Sequence, residues 1–274
     1  MIIDYITGAI LGIIQGIAEL LPISSSGHLA IAQSILGWNA GVLRTTVFLH
    51  IGSAFAILIV FHKEIKSLAL DLPKLPLIVK NEIKRKLAKL PGKSNLTLCI
   101  LLSLILTAPI ALWLHKSAET MFNSPHSIGI ALMINAFLLV FAALVGKRRK
   151  QQRLITYSAA CVIGIAQALA VPPGISRLGM TLVAALLLGI DEYESARYSI
   201  LLSFPTILLA SIVEISRESI SGITFGPLII GIAAAVMAGI FALRILLLPN
   251  LRKRLLLFGI YCLVAGVSVC LLVD

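Results

Sequence analysis

Two polar breaks interrupt a chain that is otherwise soluble only in lipid. They restrict its fold more than any other feature. The first runs Gln15-Gly-Ile-Ala-Glu-Leu-Leu-Pro-Ile-Ser-Ser-Ser-Gly-His28, and the second runs Gln167-Ala-Leu-Ala-Val-Pro-Pro-Gly-Ile-Ser-Arg-Leu-Gly-Met-Thr181. At membrane depth no water satisfies a backbone that leaves the helix, and polar side chains are costly there. Such segments therefore line a site or a cavity. Two of them on one chain suggest one site built from both.

Composition supports the lipid setting. Hydrophobic residues make up 59% of the 274 and charged residues 13%, against about a quarter charged in a soluble domain. The chain reads as an all-α integral membrane protein. Its net charge of +11 is not spread over a folded surface. It clusters between apolar spans, where it orients the chain and meets lipid headgroups, so no nucleic-acid partner is expected. Cys99, Cys161, Cys262 and Cys270 sit in apolar stretches without metal-like spacing and read as small packing residues. Asp4 and the lack of a basic leader argue against a cleaved signal peptide.

At about 20 residues per crossing, six full spans are predicted at roughly 45–61, 96–115, 126–146, 197–214, 226–247 and 255–273. Two further apolar stretches, 6–37 and 156–190, are broken at Pro22 and at Pro172-Pro173-Gly174. Each half is predicted to be too short to cross, at about 1.5 Å per residue, so both stretches are expected as re-entrant helical hairpins. Lys and Arg crowd the loop 62–95, residues 147–153 and Arg252-Lys253-Arg254. All three groups belong on the cytoplasmic side, which places both termini outside. The first hairpin then enters from the outer side and the second from the inner side.

The hairpins also match each other. In one fixed register Gly12 aligns with Gly164, Gln15 with Gln167, Ile23 with Ile175, Ser24 with Ser176 and Gly27 with Gly179. Three spans lie between them, and an odd number inverts the second copy. A single membrane domain, 1–274, is expected as an inverted-topology repeat, with copies at about 6–115 and 156–247. The site then falls near the midplane, between the copies.

Within the breaks, Gln15 and Glu19 are four apart and share a helix face. A buried carboxylate needs a cation, a metal or a proton. Glu19 therefore reads as a metal ligand or a base, or else as a protonated acid bonding a neighbouring helix. Proline ends the first half-helix, and Ser24, Ser25, Ser26 and Gly27 lead into the next. Serine caps a helix start, and the free N–H groups there suit a phosphate. One serine could be a nucleophile, with His28 close enough in sequence to move its proton; equally, the serines could only cap and His28 satisfy a carbonyl. In the second break Gly174 permits a sharp turn and Ser176 caps. Arg177 is a cation able to bind phosphate through a bidentate fork, or to pair with Glu19. Thr181 follows one turn later. The stripe Gly8, Gly12, Gly16 reads as close helix packing, within the chain or in a homodimer.

These two segments resemble the undecaprenyl-pyrophosphate phosphatases, also called bacitracin-resistance proteins. The first family motif, Glu or Gln, three residues, then Glu, followed by Pro-x-Ser-Ser-(Ser/Thr)-Gly-His, reads here as Gln15 to Glu19 and Pro22 to His28. The second, Pro-Gly-x-Ser-Arg-Ser-x-x-Thr, reads as Pro173 to Thr181. Leu178 stands where the motif carries serine, which removes a hydroxyl. Gln15 is the less usual choice and supplies no second negative charge. The resemblance implies a multi-pass enzyme of the bacterial plasma membrane. It would remove the terminal phosphate of a polyprenyl diphosphate, recycling the lipid carrier of cell-wall synthesis. It further implies that Arg177 and the helix starts hold the diphosphate, Glu19 with Gln15 positions Mg²⁺ or Ca²⁺, Ser25 attacks phosphorus or orients water, and His28 handles the proton. Ser24, Ser26, Gly27, Gly174, Ser176 and Thr181 would line the substrate. Broken helices in inverted repeats also suit a transporter, so a polyprenyl-phosphate flippase is the competing function.

Overall fold

A computed structural model describes residues 2–36, 40–87, 94–122, 124–145, 154–217 and 225–272. Among these residues every regular element is helical. In chain order the helices are α1 (Ile2–Leu20), α2 (Ser25–Leu36), α3 (Ala40–Val60), α4 (His62–Asp71), α5 (Leu75–Leu87), α6 (Leu96–Phe122), α7 (Pro125–Val145), α8 (Tyr157–Ala168), α9 (Arg177–Leu187), α10 (Glu192–Arg217), α11 (Phe225–Leu246) and α12 (Leu251–Leu272).

Five of them are long and apolar enough to cross a membrane: α6, α7, α10, α11 and α12. The sixth expected span corresponds to α3, whose stretch Val47–Val60 is followed, after a 94° bend at Phe61, by α4 and α5. Counted with its bent continuation it makes six. The stretch 62–87, read from sequence as loop, is two helices joined by a 3-10 turn, Leu72–Lys74. Its lysines are good helix formers. Pro73 and Pro76 confine the interruption to that turn, because proline is tolerated where the N–H is not needed. The basic run 147–153 lies outside the described residues.

The breaks fall where proline and glycine place them. α8 and α9 have 12 and 11 residues, about 18 and about 17 Å at 1.5 Å per residue, well short of a bilayer core of about 30 Å. The first hairpin is less even. Its second arm has 12 residues and its first has 19, about 28 Å long, so α1 is not the short half that was expected. Nothing between Ile2 and Glu19 breaks the helix, and it runs until the turn at Leu21–Ile23.

Polar contacts gather one set of helix ends. Arg197, near the start of α10, lies 4.0 Å from Glu64 of α4. Arg252 of α12 pairs with Glu192 at 3.3 Å and donates to the Ala142 carbonyl of α7 at 3.1 Å. Thr97 of α6 donates to Asp71 at 2.7 Å, and the Tyr157 hydroxyl of α8 accepts from the Asn95 N–H at 3.0 Å. This is the end carrying Arg252-Lys253-Arg254 and the basic helices α4 and α5.

The two hairpins start from opposite ends. α8 begins at the basic end and runs alongside α6, with Gly164 against the Ser103 backbone. α1 begins at the other end and runs alongside α11. There Gly8 faces Pro227, Gly12 faces Gly231 and Gly16 faces Ala235. A Cβ on Gly12 would meet the Gly231 carbonyl oxygen at 2.0 Å, so this contact forms only without a side chain. The glycine stripe is therefore used inside the chain. α7 and α12 form a separate antiparallel pair, closed by Gly129 against Gly266 and Gly259 against Ala136.

Candidate active site

Both hairpins turn at the same place in the bundle, and their turns touch. The first elbow, 21–24, carries Ser24 at φ +72°. The second, 169–176, carries Gly174 at φ +100°. The Gly174 N–H donates to Ser24 Oγ at 3.1 Å. A Cβ on Gly27 would lie 3.0 Å from Gly174 Cα, and one on Gly174 would meet Ala131 Cβ at 2.6 Å. Left-handed φ and the absence of space both require glycine at 174.

Each elbow ends in a serine that caps the helix after it. Ser24 Oγ accepts from the Gly27 N–H at 3.4 Å, and Ser176 Oγ accepts from the Gly179 N–H at 3.0 Å. Asn135 of α7 joins the two elbows. Its Nδ2 donates to the Pro22 carbonyl at 3.0 Å and its Oδ1 accepts from the Ser176 N–H at 3.1 Å. Turning the amide over would break both bonds, so its orientation is fixed. From sequence Asn135 is only one polar residue among apolar ones; its reach to both elbows is a tertiary fact.

Glu19 occupies the centre. It projects from the last turn of α1 and its side chain is only 7% exposed. Ser25 donates a short hydrogen bond to Oε2, and Gln15 Nε2 donates to the same oxygen at 3.3 Å. Arg177 NH1 lies 3.9 Å from Oε1, and His50 Nε2 of α3 lies 3.7 Å from Oε2. A carboxylate this deep without such partners would cost several kcal/mol. His50 was not expected here, because its sequence spacing from the other polar residues carries no ligand pattern. Its position follows from the packing of α3 against α1.

Two buried atoms around Glu19 have no hydrogen-bond partner: Gln15 Oε1 and Arg177 NH1. One is an acceptor and the other a charged donor. Leaving either unmet costs about 1–3 kcal/mol, and together they suit a ligand with a cation on one side and oxyanions on the other.

The remaining residues take varied positions. Ser26 Oγ lies 3.4 Å from Ser24 Oγ. His28 does not bond Ser25: its Nδ1 donates to the Ser24 carbonyl at 2.8 Å, and its Nε2 meets the Tyr261 hydroxyl at 2.7 Å. Thr181 is fully buried, and its hydroxyl donates back to the carbonyls of Leu178 and Arg177 at 3.0 and 3.3 Å. Leu178 is 2% exposed within the hydrophobic core.

A single carboxylate and an amide oxygen would make a sparse set of ligands for a cation. Among the described residues no group of three or more His, Cys, Asp or Glu side chains converges. Mg²⁺ is commonly held by one or two carboxylates together with substrate phosphates, so Glu19 and Gln15 Oε1 fit a cation that arrives with a diphosphate.

Comparison with known proteins shows the family. Residues 8–268 match the family described as bacitracin resistance protein BacA. The chain is 36% identical over 265 residues to an undecaprenyl-diphosphatase of Halothermothrix orenii, covering 96% of this chain and 95% of that protein. It is 33% identical over 274 residues to one of Methanosphaera stadtmanae, covering 98% of each.

Proposed function

The chain belongs to the bacitracin resistance protein BacA family, and from that premise we propose that its joined elbows are the active site of a membrane undecaprenyl-diphosphatase. The enzyme hydrolyses the lipid diphosphate to the monophosphate and inorganic phosphate, and so returns the carrier to cell-wall synthesis. One observation carries the site assignment: the Glu19 carboxylate lies between the Ser25 hydroxyl and the Arg177 guanidinium.

The chemistry follows from that placement. Arg177 and the N–H groups at the starts of α2 and α9 bind the diphosphate oxygens, where a cation and a helix start both favour negative charge. Ser25 already directs its hydroxyl hydrogen at Glu19. Ser25 Oγ attacks the terminal phosphorus as its proton passes to Glu19 Oε2. The bridging P–O bond breaks and polyprenyl monophosphate leaves. Water then cleaves the phosphoserine, releasing phosphate and restoring the hydroxyl. His28 stands beside this elbow to move the proton of that water or of the leaving group. Glu19 and Gln15 Oε1 would hold Mg²⁺ or Ca²⁺. Such an ion neutralises charge on the diphosphate.

The hairpins are re-entrant arms of an inverted repeat. Their starts at opposite bundle ends, their matching serine caps and the paired packing of α1 on α11 and of α8 on α6 support that reading. The basic end faces the cytoplasm, and the start of α1 and the end of α12 face outward.

The test is phosphate release from a polyprenyl diphosphate by purified protein in detergent, with and without chelator. Release by wild type, its loss with chelator and a trappable phosphoprotein that disappears in Ser25→Ala are expected. Normal turnover by Ser25→Ala would remove the serine from the mechanism. Lipid movement across liposomes without phosphate release would make the protein a flippase instead.

A further inference from the structure

Besides Asn135 and His50, a residue of α12 reaches the catalytic elbow from outside both hairpins. Tyr261 lies in the middle of α12, on its lipid-facing side; its neighbours Leu257, Ile260 and Val264 are all exposed. Its ring lies nearly parallel to the His28 imidazole, with centroids 5.5 Å apart and planes 9° from parallel. Its hydroxyl meets His28 Nε2 at 2.7 Å.

The hydrogen-bond logic of the pair is closed. The Ser24 carbonyl only accepts, so His28 Nδ1 must carry hydrogen. In the neutral ring Nε2 is then the basic nitrogen, and the Tyr261 hydroxyl donates to it. We propose that Tyr261 is a positioning residue for His28: its hydroxyl fixes the imidazole's orientation and tautomer from outside the elbow. This rests on the assignment of His28 to proton transfer in the proposed reaction.

Tyr261→Phe keeps the ring and removes only the donor. With polyprenyl diphosphate in detergent, kcat is expected to fall about 10-fold with KM unchanged and with the melting temperature close to wild type. Tyr261→Leu, which removes the ring as well as the donor, is expected to lose at least as much. In a His28→Ala background Tyr261→Phe is expected to change nothing more, because coupled residues are not additive. The same 10-fold loss in both backgrounds, or wild-type kcat in Tyr261→Phe, overturns the proposal while leaving the phosphatase reading intact. Failure of wild type to release phosphate would overturn that reading instead. A measurement free of turnover is the ¹⁵N spectrum of labelled histidine, assigned with His28→Ala. Tyr261→Phe is expected to shift the unprotonated His28 Nε2 resonance, and an unmoved resonance contradicts the contact.

Discussion

The two elbows share one scaffold and differ in chemistry. In the register that aligns Ser24 with Ser176, both caps are kept, and both accept from the N–H three residues on. The next residue is Ser25 in the first elbow and Arg177 in the second. The proposed nucleophile and the proposed phosphate clamp therefore occupy the same aligned position of the two elbows. Glu19 aligns with Val171 and His28 with Met180, so the acid and the imidazole belong to one elbow alone. Gln15 and Gln167 align too, yet their surroundings differ. Gln15 donates to Glu19, whereas Gln167 donates to Thr107 at 3.0 Å and accepts from Thr206 at 3.5 Å. The turns are made differently as well, with the left-handed residue at Ser24 in one and at Gly174 in the other. Two matching elbows thus keep a cap and differ in the reagent that follows it.

Making the elbows alike should therefore destroy activity without destroying the fold. Arg177→Ser writes the first elbow's residue into the second and leaves the Ser176 cap in place. Phosphate release is expected to fall by about 10³-fold, the scale of removing an arginine from a phosphoryl-transfer site, with the melting temperature little changed. Near-normal turnover would mean that Arg177 is only structural.

Asn135 tests the joint between them. Asn135→Ala leaves the Pro22 carbonyl and the Ser176 N–H unmet, at a cost of about 2–4 kcal/mol for the two. A thermal melt in detergent should show the loss. An unchanged melt would mean that the elbows hold together without the amide.

The aligned glutamines give the smallest and most discriminating contrast. Gln15→Leu is expected to lower kcat about 10-fold, as loss of a partner to a catalytic carboxylate does, while the fold keeps its stability. Gln167→Leu is expected to cost about 1–3 kcal/mol of stability, while the folded protein turns over normally. Equal effects on both measurements would erase the difference drawn here.

Much of this was legible in the chain. Polar residues and prolines inside lipid-soluble stretches are expensive, so the elbows announced themselves, and the stripe Gly8, Gly12, Gly16 marked where α1 packs closely. The partners reaching in from whole spans were not legible. Asn135, His50 and Tyr261 belong to no local motif on their long helices, and no local spacing tells which way such a side chain on a span will face. The length of α1 was also missed, because the break at Pro22 was read as the midpoint of two equal arms. The right-angled helices after α3 were read as loop, because charge dominates their composition even though their residues favour helix.

The central claim is that an acid from one elbow and a cation from the other act on a single diphosphate. Coupling between them tests it most directly: phosphate release by Glu19→Gln, by Arg177→Lys and by the two combined, the conservative changes keeping each loss measurable. Residues acting as a unit are strongly non-additive, so the double variant is expected to be no more than a few-fold slower than the slower single one. Losses that simply multiply would mean that the two groups act independently, and would contradict a shared site.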